Sequence, residues 1–348
     1  MHTDSAPRLA PALPLQSGMI AAGLRDPSAG TDVIQCVQHW PHGLDTAAYL
    51  AAWRAAVARH TVLRTRFAWR ADGGMEQWPG PAEDVPVLVD DSVADLDAFL
   101  AADRRAGVDP VAGPPLRVVA LPGDVVVATF HHAILDGRSL AMLLAEIDDD
   151  YAARRTGDAL EFPPRPDFAD YARWYDARVA PDHPGLRADE RFWAAELAGS
   201  ADPGPLPLEH AGPDTPVMAT AALDLSAAET EAVRALAARA GVTVNTVVLA
   251  AWGLLSTTHA HADEAVFGVT RAARHDTVEG AQDMLGLLLA TVPLRVPVDR
   301  DAPVVDWLRS VRERSVRARD HQLCPLPVIQ RASGHDVPLM RSLVLFEH

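Results

Sequence analysis

Residues Phe130-His131-His132-Ala133-Ile134-Leu135-Asp136-Gly137 carry two adjacent histidines followed four residues later by Asp-Gly. The flanks fix what this segment can become. Ahead of it runs Val125-Val126-Val127-Ala128-Thr129-Phe130, a β-branched stretch with the character of a buried strand. Behind it Leu140, Leu143, Leu144, Ile147 and Tyr151 recur with the spacing of an amphipathic helix. Strand, tight turn and helix in this order demand a fold of mixed strands and helices. The turn falls at a helix start, where backbone N–H groups are free and side chains can converge.

Alternation along a strand sends His131 and His132 to opposite faces, so only one of them can face a given cavity. His132 is assigned to the site, as a base or as a hydrogen-bonding anchor for a nucleophile, and His131 to packing beneath it. Asp136 has two readings: the N-cap of the following helix, or a buried carboxylate paired with an arginine. Arg64 and Arg66 alternate on one face of the apparent strand Val62-Leu63-Arg64-Thr65-Arg66-Phe67 and can supply that partner, with Arg64 preferred. Gly137 is a turn residue, or a residue whose N–H approaches a developing oxyanion.

Metal binding fits poorly. The histidines diverge, no His-x-x-x-His pair lies on a helix, and Cys36 and Cys324 are isolated. There is no Gly-x-Ser-x-Gly elbow and no phosphate-binding glycine loop. The chain has no lysine, which excludes Schiff-base chemistry. With no nucleophile of its own in evidence, His132 is left to activate an external one, in a direct acyl transfer.

A length of 348 residues is enough for two subdomains. The formal charge of −16 argues against nucleic acid as a partner. No apolar run is long enough for a bilayer and no secretory signal is visible, so a cytoplasmic location is expected. Helices are predicted over residues 44–60, from 167 to 174, around Phe192-Trp193, and over 228–240 and 244–256. Strands are predicted at 265–270 and 287–298, the latter at an edge or bulge because of Pro293 and Pro297. The Pro/Gly-rich passage 199–216 is predicted to be a linker or surface loop.

The ordered motifs resemble the condensation domains of nonribosomal peptide synthetases, within the chloramphenicol-acetyltransferase-like superfamily. Leu13-Pro14-Leu15-Gln16-Ser17-Gly18-Met19 is similar to the opening motif, and Arg59-His60-Thr61-Val62-Leu63-Arg64-Thr65-Arg66-Phe67 to the second. His131 to Gly137 matches the His-His-x-x-x-Asp-Gly core. Asp170-Tyr171-Ala172-Arg173-Trp174, Arg191-Phe192-Trp193, residues 284–295, residues 321–330 and residues 343–348 resemble the later motifs. Leu135, Arg138 and Ala290 depart from the usual pattern, Ala290 standing where Asn is usual.

The resemblance implies an α/β (α+β) fold of two acetyltransferase-like lobes in a V with a tunnel between them. Residues 1–178 would form the lobe with the His-His motif and 179–348 a second lobe lacking its usual end. It further implies His132 at the acceptor amine, Arg64 bridging to Asp136, and no tightly bound cofactor. Substrates would arrive on the phosphopantetheine of donor and acceptor carrier proteins. The chain begins like a free-standing or chain-initial domain, and its early stop leads one to expect a partner, another synthetase domain or further residues over the last strand. Amide formation leads the expected functions. The alternatives are ester formation, epimerisation, and a non-catalytic domain that docks a tailoring enzyme.

Overall fold

The β-branched run ahead of the histidines is buried along its whole length in the computed structural model, which describes residues 9–158, 160–200, 220–275 and 277–347. The chain divides into two compact units, Met1–Arg178 with Arg274–Leu289, and Val179–Ala273 with Ala290–His348. Residues 274–289, expected in the second lobe, belong instead to the first, because Arg274 and Gly286 are bonded into the turn at Asp136.

The first unit contains β1 (Ala10–Pro11), α1 (Pro14–Arg25), β2 (Val33–His39), α2 (Thr46–Arg59), β3 (Thr65–Trp69), β4 (Met75–Pro79) and β5 (Val87–Val89). It continues with α3 (Leu96–Ala106), β6 (Leu116–Leu121), β7 (Val125–His131), α4 (Gly137–Thr156) and α5 (Phe168–Arg178). A four-stranded sheet runs β2-β7-β6-β5, antiparallel except between β5 and β6. Both of its faces are covered, which is why β7 lacks a polar alternation. Val126, Ala128 and Phe130 join the main core with Leu50 and Trp53 of α2 and Leu143 and Ile147 of α4. Val125 and Val127 point the other way, onto Phe99 and Leu100 of α3.

The predicted 44–60 helix is α2, capped by Asp45, whose side chain accepts the Ala48 N–H at 3.0 Å. The strand expected at 62–67 starts later. Thr61–Arg64 closes into a 3₁₀ turn, with Leu63 donating to the His60 carbonyl and the Thr65 hydroxyl to the Thr61 carbonyl. Arg64 therefore sits in a turn, and only Arg66 lies on β3.

That turn is pinned from α4. The carboxylate of Glu146 is 4% exposed and meets Arg59 at 2.7 Å, His60 at 2.6 Å and Arg165 at 3.0 Å. Burial pushes this carboxyl up, but hydrogen bonding and charge from His60, then Arg165 and Arg59, outweigh it and hold it at about 2. Against an ordinary value of 4.5, the ionised form contributes about 3 kcal/mol, present above pH 4.5 and lost as pH falls through about 2. Glu146→Gln should remove most of this. Urea titrations should show a large stability gap from the parent at pH 7 that narrows by pH 3.

The second unit holds α6 (Pro184–Glu196), α7 (Ala227–Ala240), α8 (Val244–Ala260), β8 (Glu264–Ala272), β9 (Leu289–Pro297), α9 (Val304–Asp320), α10 (Leu326–Ser333) and β10 (Leu343–Val344). Its sheet order is β10-β8-β9, so among the described residues β9 is an edge strand, where its prolines cost no central ladder bond. Phe267, Val269, Leu294 and Val296 pack on Leu249 and Ala250 of α8 and Leu308 and Val311 of α9. A side chain at Gly253 would come within 2.8 Å of Val296, so α8 lies close against β9. Trp193, Leu186 and Leu197 pack with Ile329 and Leu339. His321 stacks on Phe192 at 3.9 Å and its Nδ1 lies 2.8 Å from buried Asp189, which gives the late segment a structural task. Most of the predicted 199–216 linker lies outside the described residues. No single helix among the described residues is long and apolar enough to cross a membrane.

Candidate active site

β7 ends at His131, and His132 opens a 3₁₀ turn, His132–Ile134, that leads into α4. His131 is 2% exposed, and its Nδ1 accepts the Ala133 N–H at 3.1 Å. Burial, and then the neighbouring His132, push its imidazole down to about 4, so this ring is neutral near pH 7. It borders a cavity of about 70 Å³ walled by Ile20, Gly23, Val33 and Val108.

His132 has other surroundings. It is half-buried, its N–H donates to the Asp32 carbonyl at 2.7 Å, and its Nδ1 is buried without a hydrogen-bond partner among the described residues. Asp32 sits across the β2–β7 pair, one step beyond the Val33–His131 register, with a φ of 60° that Asp tolerates better than most side chains. Burial raises its carboxyl, and the charge of His132 partly offsets that. The two histidines thus differ in backbone as well as in burial, because the strand ends between them.

Both readings of Asp136 hold, with a different arginine. Its carboxylate caps α4 by accepting the Ser139 N–H at 2.7 Å. The same carboxylate, 2% exposed, takes Nη2 of Arg274 at 2.8 and 2.9 Å and the Leu288 N–H at 3.0 Å. Arg274 also donates to the Ser139 hydroxyl at 2.7 Å and to the Ala281 and Met284 carbonyls. Ser139 in turn exchanges hydrogen bonds with the backbone of Gly286. The expected Arg64–Asp136 bridge is absent: Arg64 donates to the Gly80 carbonyl, and Arg66 pairs with Asp84. The 3₁₀ turn moves Arg64 off the strand face on which its selection depended. Arg274 gave no sequence signal, since it lies 138 residues from Asp136 among ordinary-looking arginines.

Gly286 has to be glycine for a visible reason. A Cβ there would sit 2.1 Å from the ring of Phe168. Gln16, from the opening motif, is fully buried and donates to the Ala133 carbonyl at 2.8 Å while accepting the Leu13 N–H. The turn that carries the histidines and Asp136 is therefore braced from two further sequence motifs, the opening one through Gln16 and residues 284–295 through Gly286 and Leu288. Gly137, the first residue of α4, is exposed, and its φ lies outside the left-handed region. The carboxylate and carbonyl of Asp136 take the Ser139 and Leu140 N–H groups, which leaves those of Gly137 and Arg138 without partners among the described residues.

A family model described as the condensation domain matches residues 8–348. The chain belongs to the condensation-domain family.

Among curated relatives, a linear gramicidin synthase polypeptide of Brevibacillus parabrevis is 30% identical over 97% of this chain. Chondramide synthase of Chondromyces crocatus is 31% identical over 88% of it. The chain spans only 4% and 8% of those two proteins. Among solved structures, the X-domain from teicoplanin biosynthesis matches with a TM-score of 0.79 and 26% identity, over 99% of this chain and 78% of that one. The first condensation domain of the calcium-dependent antibiotic synthetase matches with a TM-score of 0.77 and 20% identity, over 95% of this chain and 79% of that one. Within this condensation domain, the departures have clear places. Leu135 is a core residue at 1% exposure, Ala290 is buried in β9, and Arg138 reaches the Gln282 carbonyl at 3.3 Å.

Proposed function

We propose that this condensation domain joins a carrier-borne acyl or peptidyl group to the amine of an acceptor, forming an amide. The observation that carries the reading is the half-buried His132, held by its backbone to Asp32 beside the free N–H groups that open α4. The amine nitrogen attacks the thioester carbonyl, the C–N bond forms and the C–S bond breaks. The proton lost by nitrogen ends on the departing pantetheine thiol. His132 orients the amine and takes up its proton, while His131, neutral and buried, only supports the turn. The Gly137 N–H, with the positive end of the 20-residue helix α4 behind it, favours the oxyanion of the tetrahedral intermediate. No acyl-enzyme forms, and the pantetheine arms of donor and acceptor carrier proteins are substrates rather than resident cofactors.

A second reading, a domain that docks a tailoring enzyme without catalysis, draws support from the 27% identity to the X-domain solved in complex with OxyB. One assay separates the two. The chain is incubated with acyl-loaded and aminoacyl-loaded carrier proteins, and the acceptor carrier is weighed by mass spectrometry. Transfer of the acyl mass to the acceptor is expected. No transfer from any loaded pair, with the protein folded, would sink the enzymatic reading.

A further inference from the structure

Arg271 lies near the end of β8 with its Nε–H buried and unpartnered among the described residues, and one Nη donates to the Ser315 hydroxyl at 2.8 Å. Ser315 and Arg319 stand one turn apart on α9, which sets them on the same side of that helix. No carboxylate among the described residues lies within salt-bridge distance of Arg271 or Arg319. The acids that meet other arginines of α9 are engaged elsewhere: Glu196 takes Arg314 and Arg317, and Asp306 takes Arg309. Burial, and then the like charge of Arg319, push the Arg271 guanidinium down to about 10, so it is still cationic at neutral pH. A half-buried guanidinium whose buried Nε–H is idle, and which feels the like charge of the exposed Arg319, is costly as a purely structural device. It is well suited to an oxyanion, whose two oxygens match the guanidinium geometry.

We propose that Arg271, Ser315 and Arg319 form a binding site for an oxyanion, either the carboxylate of a substrate or the phosphate of a pantetheine arm. The site is a property of the second unit and stands whether or not the chain forms amides; only its pantetheine arm presupposes carrier-borne substrates. The test is thermal unfolding of the whole chain at matched ionic strength, in chloride, in millimolar inorganic phosphate and in millimolar acetate. Phosphate, acetate or both should raise the melting temperature of the parent by about 3 °C. Phosphate alone would assign a phosphate ligand, and acetate alone a carboxylate. Arg271→Gln should lose that increment and, in chloride, melt no lower than the parent, because it removes an uncompensated cation. An equal response of Arg271→Gln to the anions would mark general salting effects and overturn the proposal, as would no response of the parent. Should Arg271→Gln fail to fold, Arg319→Gln decides: a reduced increment supports the site, and a full one overturns it.

Discussion

Arg274→Met is expected to lower the main melting transition by about 10 °C, whereas Arg64→Met should cost only a few degrees. Arg274 is 3% exposed and holds a carboxylate that is 2% exposed, so its loss leaves the charge of Asp136 buried and uncompensated. Breaking such a pair from one side costs about 3–5 kcal/mol. Arg64 loses one bond to a carbonyl, which is worth about 1 kcal/mol. The pair should also behave non-additively. Asp136→Asn in the Arg274→Met background removes the stranded charge, and the double variant should melt above Arg274→Met alone. Differential scanning calorimetry of the four proteins checks this. A larger loss from Arg64→Met than from Arg274→Met would restore the bridge that the strand pattern suggests and overturn the one described here.

The contrast between these arginines shows what a sequence of this kind makes legible. Local patterns were enough for the elements around the site: the valine run for β7, the leucine spacing for α4, and the proline-marked edge strand for β9. They also anticipated unlike surroundings for the two histidines, of which His131 is buried at the end of β7 and His132 half-buried in the turn that follows. They failed where a short polar segment chose between two conformations. Residues 61–67 alternate well enough for a strand, yet Glu146 draws in His60, and the chain turns before it extends. That contact spans 86 residues, and no local period encodes it. The reach of residues 274–289 into the first unit was hidden for the same reason. Arg274 and Gly286 matter through what they touch, Asp136 and Phe168, and neither partner is near in the chain. Family resemblance supplied the order of the motifs. It did not by itself supply the arginine that closes the turn.

His132→Ala should abolish detectable amide formation, a loss of about 10²–10⁴-fold for the removal of a positioned base, while leaving the melting temperature nearly unchanged. The ring is half-buried, and the bond that fixes this residue is its backbone N–H to Asp32, which alanine retains. His131→Ala should do the reverse. It strands the Ala133 N–H that Nδ1 accepts and opens space beside Gly23, so stability falls by about 1–3 kcal/mol while the folded protein keeps most of its rate. The pH dependence gives an independent check. The His131 imidazole is held at about 4 in the folded chain against an ordinary 6.5, so the unfolded chain binds the extra proton first. Its contribution is complete above pH 6.5 and is lost as pH falls through about 4. The parent should therefore lose stability between those values by an increment that His131→Ala lacks. Loaded-carrier assays with both variants, alongside denaturant titrations at pH 7 and pH 4, separate the two roles. A fully active His132→Ala would remove the imidazole from the mechanism and leave the free N–H groups at the start of α4 as the remaining catalytic feature of the turn.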